Sequence, residues 1–203
     1  MGQLSAVNLD RFSDRCSTVK VNVFELCTGR SGSHTFARAA AHISNYSAGH
    51  ELRAKLIGDA RFAYPPNHIE ADNRLSWMLG RLEEKFGEDA FYVHLTRNAD
   101  ATARSFNKRW HIGIGIVSAY RTGILMGSKE DPLAICADYV GTVNANIRAF
   151  LKDKPLKMDF QLECAHQHWP IFWSRIDAEG DLSSSLREWD FKRDSSAPGA
   201  LSR

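Results

Sequence analysis

Residues 19–43 read VKVNVFELCTGRSGSHTFARAAAHI, and they join three local patterns in an informative order. Valines alternate with polar residues at the start and lead into a continuous apolar run, which predicts a buried β-strand over residues 19–27. The turn TGRSGS at 28–33 is rich in glycine and serine, and the alanine-rich residues 35–43 predict a helix. A strand, a glycine turn and a helix in this order open an α/β unit.

Patterns further along the chain extend this architecture. The segment FYVHLT at 91–96 predicts a second buried strand, and ADATARSFNKRW at 99–110 predicts the helix that follows it. Further helices are predicted over 69–86, 111–127, 132–150 and 181–192, a short strand over 155–163, and mostly loop over 44–68. Helices that alternate with strands indicate an α/β fold, with a central parallel sheet and helices on both faces.

Composition and charge limit the classes of function. The chain has 203 residues, 43% hydrophobic and 25% charged, which predicts a single domain over 1–203. Within it, we expect 1–18 to be a loose extension and 193–203 a disordered tail. A net charge of +2 provides no basic field that would make nucleic acid the default partner. The four cysteines are scattered and no apolar run approaches the length of a membrane span, so we expect a cytoplasmic protein.

The glycine turn has the composition of an anion site. Gly29 and Gly32 allow a tight turn and a close approach of the backbone to a ligand. The N–H groups at the start of the following helix carry the positive end of the helix dipole, and Arg30 adds a cation. Hydroxyl groups come from Ser31, Ser33 and Thr35. We therefore predict that the turn binds a phosphate or a sulfate.

The turn differs from the nucleotide-binding P-loop, GxxxxGK[ST]. Counted from Gly29, that motif requires glycine and lysine where this chain has His34 and Thr35. The second predicted strand ends in Leu95-Thr96-Arg97 and carries no aspartate there to help hold Mg²⁺. The sequence therefore favours anion binding without metal-dependent phosphoryl transfer.

A second anion site is predicted after the second strand. Arg97 follows that strand at the carboxyl edge of the sheet, where open α/β sheets bind ligands. Ser105 lies about two turns into the next helix and can face the same place. An arginine and a serine together suit a terminal phosphate.

Together these segments resemble the PAPS-dependent sulfotransferase family. CTGRSGSHT at 27–35 resembles the family's 5′-phosphosulfate loop, and YVHLTRNADATARSF at 92–106 resembles its 3′-phosphate-binding segment. The ending FWSRIDAEGDLSSSLREW at 172–189 is similar to that of compact bacterial-type members. The resemblance implies a P-loop-like three-layer fold and an enzyme that moves a sulfuryl group from PAPS to a hydroxyl group, releasing PAP, without a metal.

The resemblance also implies roles for individual residues. Backbone N–H groups of residues 30–34, with the hydroxyls of Ser33 and Thr35, would hold the 5′-phosphosulfate. Arg30 would neutralise charge on the bridging oxygen as the S–O bond breaks, and Arg97 and Ser105 would bind the 3′-phosphate. The full predicted donor site is Gly29, Arg30, Ser31, Gly32, Ser33, His34, Thr35, Arg97 and Ser105.

The base that activates the acceptor hydroxyl is less well determined by sequence. Some relatives with an arginine in the loop have a glutamate in a place comparable to Glu51, which makes Glu51 our first candidate and His50 our second. His68 and His111 are further candidates.

The sequence identifies neither the acceptor nor a single function. We expect the acceptor to be a small molecule or a carbohydrate, with a sugar or glycolipid favoured. Aromatic residues such as Trp110 either pack in the protein core or stack on the acceptor. We expect the cluster Cys164, His166 and His168 to be structural and not a metal site. A metal-dependent nucleotide kinase and a non-catalytic PAP- or PAPS-binding protein are the alternatives.

Overall fold

A computed structural model describes residues 21–191, which contain a five-stranded parallel sheet. The strands are β1 (Asn22–Leu26), β2 (Ser47–His50), β3 (His68–Ala71), β4 (Ala90–Thr96) and β5 (Lys157–Gln161). The strand order is β2-β3-β1-β4-β5, and every neighbouring pair is parallel. The predicted α/β fold with a central parallel sheet is confirmed. The predicted extension at 1–18 and the tail at 193–203 lie outside the described residues.

Seven α-helices surround the sheet in the described part of the chain. They are α1 (Ser33–Ala40), α2 (Leu79–Phe86), α3 (Ala99–Asn107), α4 (Ile116–Ala119), α5 (Pro132–Leu151), α6 (Ala165–Arg175) and α7 (Leu182–Arg187). A π-helical turn, Tyr120–Ile124, continues α4, and a 3₁₀ helix, Asn73–Trp77, precedes α2. None of the helices within residues 21–191 is both long enough and apolar enough to cross a bilayer.

The sheet separates two apolar cores. On one face, helices α1, α6 and α7 cover the strands, and Phe36, Trp169 and Phe172 pack together there. On the other face, helices α2, α3 and α5 bury a second cluster that includes Leu82 and Tyr139. Burial of apolar surface on both faces therefore fixes the three-layer arrangement.

One sequence-based assignment was wrong, and two further elements were missed. Residues 69–86 do not form one helix, because their first part belongs to β3 and the 3₁₀ helix, and only α2 is α-helical. Residues 44–68 contain the whole of β2, and α6 was not predicted at all. The strand β3 was hidden because two of its four residues, His68 and Glu70, are ionisable. These two side chains pair with each other inside the fold, a compensation that a sequence pattern does not reveal.

The crevice for a ligand lies at the carboxyl ends of β1 and β4. The connection after β1 leads to β2 on one side of the sheet, whereas the connection after β4 leads to β5 on the other. Neighbouring strands whose connections diverge in this way border the crevice in which open α/β sheets bind ligands. The glycine turn follows β1 and Arg97 follows β4, so both predicted anion-binding segments meet at this crevice.

Candidate functional site

The loop between β1 and α1 passes through left-handed backbone conformations. The φ angle is +79° at Gly29, +60° at Arg30 and +104° at Gly32. A Cβ atom at Gly32 would lie 2.8 Å from Cδ1 of Leu162, and one at Gly29 would lie 3.0 Å from Asn73 Nδ2. Both positions therefore favour glycine, for the backbone conformation and for the close neighbours.

Hydrogen bonds fix this loop from beneath. The Tyr139 hydroxyl on α5 donates to the carbonyl of Thr28 at 2.8 Å. The Ser76 hydroxyl donates to the carbonyl of Cys27 at 2.9 Å. Tyr139, Thr28, Ser76 and Cys27 are all buried, so the loop is held in shape by the protein itself, as is usual for a preformed ligand site.

The first turn of α1 has no side-chain cap. Gly32 is the N-cap residue, and the first bond of the helix runs from the Phe36 N–H to the Gly32 carbonyl at 2.9 Å. The backbone N–H groups of residues 32–35 precede that bond and carry the positive end of the helix dipole. The side chains of Ser33 and Thr35 are partly exposed at the same end. This geometry suits a bound phosphate or sulfate.

Arg30 joins the two predicted anion sites. Its Nε donates to the Ser105 hydroxyl at 3.1 Å, and its carbonyl accepts a hydrogen bond from Nη1 of Arg97 at 3.2 Å. Arg97 follows β4 and Ser105 lies on α3, so three separate elements bring these groups together. The Nε–H that binds Ser105 is one of five N–H donors of the guanidinium, a group that can serve several acceptors at once.

His50 lies against the same loop from the β2 side. Its Nε2 is 3.2 Å from the Ser33 hydroxyl, and its ring is 5.3 Å, centroid to centroid, from the ring of His34. The carboxylate of Glu51 points to a different partner, the guanidinium of Arg74, at 2.6 Å. The structure thus brings His50 to the loop and places Glu51 in a partly exposed ion pair.

A chain of hydrogen bonds holds the turn after β2. The carboxylate of Glu70 accepts from the Leu52 N–H at 2.9 Å through Oε1, and its Oε2 lies 2.9 Å from Nε2 of His68. The other ring nitrogen of His68 is 2.8 Å from the Ser47 hydroxyl. His68 is therefore buried with both nitrogens engaged, which leaves none for an acceptor. His111, in contrast, is exposed after α3.

Glu25 is a buried acid beneath the loop that sequence analysis did not single out. It lies on β1, on the same face as Val23 and Cys27, and it is completely buried. Neither of its carboxylate oxygens has an N–H or O–H donor among the described residues, and the Cys27 thiol is the polar group beside them. Burial raises the pKa of Glu25 to about 8, and the nearby carboxylates of Asp72, Glu70 and Glu51 add to the rise. At neutral pH this carboxyl is mostly uncharged, so it does not repel an anion in the loop.

A cavity of about 340 Å³ opens beside Arg30. It lies between the end of α3, the segment 112–118 and the π-helical turn. Phe106 and Trp110 form part of its wall, and Arg109 and Arg121 line it as well. Its volume is at the lower end of the range for small-molecule sites.

The cysteine and histidine cluster near β5 is engaged in local contacts. His166 lies 3.0 Å from Asp190, and His168 accepts a hydrogen bond from the Gln161 N–H at 3.0 Å. The Cys164 thiol faces the Gln161 side chain at 3.7 Å. Within residues 21–191, no group of three or more histidine, cysteine, aspartate or glutamate side chains is arranged to hold a metal ion.

Comparison with known proteins bears on the fold. The solved structure described as the sulfotransferase domain from the curacin biosynthetic pathway superimposes with a TM-score of 0.61 and 15% sequence identity. The alignment covers 81% of this chain and 75% of that one. The chain has a sulfotransferase fold. No family profile and no curated protein sequence matches it.

Several residues that shape the site were missed by sequence analysis. Tyr139, Ser76 and Asn73 support the loop from elements far away in the chain, and no local pattern points to such contacts. Glu25 did leave a signal, since a charged residue stands between Phe24 and Leu26 in an otherwise apolar strand. A charge in a buried strand indicates a polar environment or a raised carboxyl pKa.

Proposed function

We propose that this protein is a sulfotransferase that uses PAPS as the donor and transfers its sulfuryl group to a hydroxyl group of an acceptor. The observation that carries the proposal is the junction at Arg30, whose side chain bonds Ser105 and whose carbonyl bonds Arg97. A nucleotide with anionic groups on both its 5′ and 3′ positions needs two adjacent anion sites. The sulfotransferase fold of the chain supports the same assignment.

The residues present fit such a donor. The uncapped start of α1 offers backbone N–H groups, and the small Gly29 and Gly32 allow a phosphosulfate to approach the loop closely. Arg97 and Ser105, which both contact Arg30, would hold the 3′-phosphate beside it. When bound, PAPS supplies an activated sulfuryl group.

The protein's own groups then have distinct tasks. The start of α1, with Ser33 and Thr35, orients the sulfuryl group, and Arg97 with Ser105 fixes the far end of the nucleotide. The Arg30 guanidinium stabilises the negative charge that develops on the departing phosphate oxygen. The acceptor oxygen forms the new bond to sulfur, the bond from sulfur to the 5′-phosphate oxygen breaks, and the proton of the hydroxyl passes to a base.

We place His50 ahead of Glu51 as that base. The His50 ring nitrogen lies beside Ser33 at the start of α1, where the sulfuryl group would sit. The Glu51 carboxylate is instead paired with the guanidinium of Arg74. Imidazole is also the most frequent general base in enzymes.

A thermal-shift comparison of PAP with ATP tests the proposal. We expect PAP to stabilise the protein without added metal, by about 2.7 kcal/mol at a hundred times its dissociation constant. Stabilisation by ATP with Mg²⁺ and not by PAP would support a nucleotide kinase instead. If PAP binds and no acceptor from a broad panel is sulfated, the protein is a non-catalytic nucleotide-binding protein.

A further inference from the structure

The cavity beside Arg30 has a largely apolar wall. Phe106 and Trp110 line it from the end of α3, and Ile116 and Val117 line it from α4. At its rim, the side chain of Ile114 is 85% exposed. A large aliphatic side chain at the mouth of a concave site can gain contact area when an apolar ligand binds, so this wall favours a ligand with an apolar body.

The same cavity carries positive charge. Arg109 and Arg121 line it together with Arg30, and among residues 21–191 no acidic side chain forms part of its lining. The guanidinium of Arg121 lies 5.3 Å above the centre of the Trp110 ring, which holds the cation at the apolar wall. The π-helical turn Tyr120–Ile124 sets this position of Arg121, and π-turns are frequent at functional sites. A ligand for this cavity therefore carries an anionic group next to its apolar part.

The cavity is separate from most of the donor site. Of the residues proposed to hold the donor, it includes Arg30 and neither Arg97, nor Ser105, nor the start of α1. Arg30 is also the residue assigned to the oxygen from which the sulfuryl group departs. A cavity that touches the donor site only at this residue is placed for the second substrate.

We propose that this cavity takes the acceptor, and that the acceptor is an amphipathic anion, meaning an apolar alcohol or phenol that bears a carboxylate. This proposal rests on the sulfotransferase function proposed above. It replaces the sugar or glycolipid favoured by sequence, because a neutral sugar brings no charge to pair with the guanidinium groups of the cavity.

Binding measurements with matched small molecules test the acceptor class. Calorimetry with ω-hydroxyoctanoate, the octanediol of equal length and N-acetylglucosamine is done with and without saturating PAP. We expect ω-hydroxyoctanoate to bind roughly tenfold or more tightly than the diol, the effect of one charge-assisted contact, and the sugar to bind more weakly than either. Equal binding of hydroxy acid and diol, or tighter binding of the sugar, overturns the proposal.

Variants of Arg121 identify the cavity as the place of binding. Arg121→Met keeps an apolar stem and removes the charge, so we expect it to lose most of the preference for the hydroxy acid and to bind PAP as the wild type does. Arg121→Lys restores part of that preference. Arg104→Met is the matched control, because Arg104 is exposed on α3 and does not line the cavity.

The outcomes separate this proposal from the proposed function. If Arg121→Met weakens PAP and hydroxy acid alike, the cavity belongs to the donor, and the acceptor proposal is wrong while the sulfotransferase proposal stands. If PAP does not bind the wild type, the sulfotransferase proposal fails, and the acceptor assignment that rests on it is overturned with it. Unfolding temperatures of the variants exclude loss of fold as the cause of weaker binding.

Discussion

The Nε of Arg30 lies 3.1 Å from the hydroxyl oxygen of Ser105, 75 positions further along the chain. The contact joins a loop that follows β1 to a helix that follows β4. It makes one cluster out of two segments that are far apart in the sequence.

Arg97→Ala is expected to weaken PAP binding by roughly 1.5–3 kcal/mol, because it removes a charge-assisted contact to the 3′-phosphate. Adenosine 5′-phosphate lacks the 3′-phosphate, so its binding to Arg97→Ala should be weakened much less. We still expect a small loss of affinity for adenosine 5′-phosphate, because Arg97 also donates a hydrogen bond to the Arg30 carbonyl. Calorimetry with both nucleotides measures the difference, and Arg104→Ala serves as a charge-matched control on α3. Equal losses for the two nucleotides would contradict the assignment of Arg97.

His50→Asn is expected to lower turnover by roughly a hundredfold or more, the usual contribution of a general base, with PAP affinity close to that of the wild type. Glu51→Gln is expected to keep most of the turnover, because its partner is Arg74. Release of PAP in the presence of an acceptor is the readout. Full activity of His50→Asn together with an inactive Glu51→Gln would return the role to Glu51, the residue first favoured by sequence.

Gly32→Ala is expected to destabilise the protein by more than about 1 kcal/mol and to weaken PAP binding. The φ angle of +104° disfavours alanine, and the added Cβ would lie 2.8 Å from Leu162. Gly141→Ala is the matched control. A Cβ at Gly141, within α5, would have no neighbour within 4 Å, so this change should stabilise the helix by up to about 1 kcal/mol. Urea denaturation of both variants measures the two effects, and a neutral Gly32→Ala would contradict the loop geometry.

Glu25→Gln is expected to change the pH dependence of stability. The pKa of Glu25 is raised from 4.5 to about 8, so the folded protein keeps a proton that the unfolded chain gives up. The contribution of Glu25 to the stability of the folded protein is therefore full below pH 4.5 and falls as pH rises towards 8, by about 1.4 kcal/mol per pH unit. The variant, which cannot ionise, lacks this contribution to the fall.

Denaturation series across this pH range test the Glu25 prediction, with the exposed Glu88→Gln as the control. PAP affinity should decline above pH 8 in the wild type and less in Glu25→Gln, because an ionised Glu25 beneath the loop repels the bound anion. Parallel stability profiles for the wild type and Glu25→Gln would show that Glu25 ionises normally.

The parts of the site that sequence could predict are those encoded locally. The strand, glycine turn and helix around Arg30 are contiguous, and Arg97 and Ser105 lie on a single strand-to-helix unit. Propensity, periodicity and the requirement for glycine at positive φ all act over such short distances. The central parallel sheet followed from the alternation of these units.

The parts of the fold and of the site that sequence could not predict depend on contacts between distant segments. The strand β3 carries His68 and Glu70, whose mutual pairing makes a polar strand acceptable in the interior. The choice between His50 and Glu51 depended on which side chain reaches Ser33. The local sequence does not show which of these two adjacent residues makes that contact. The cavity likewise forms only when segment 112–118 and the π-helical turn pack beside Arg30.

The packing of Phe36 has a consequence for how the protein is made. Phe36 lies on α1, the helix that follows the glycine turn, and it is covered by Trp169, Phe172 and Trp189. The hydroxyl of Ser185 also donates to the Ala39 carbonyl of this helix at 2.6 Å. During translation, the loop leaves the ribosome long before residues 165–189 exist to cover its helix. The nascent chain therefore completes the packing around α1 only after residues 165–189 have been made, and until then the aromatic surface of this helix is exposed to aggregation.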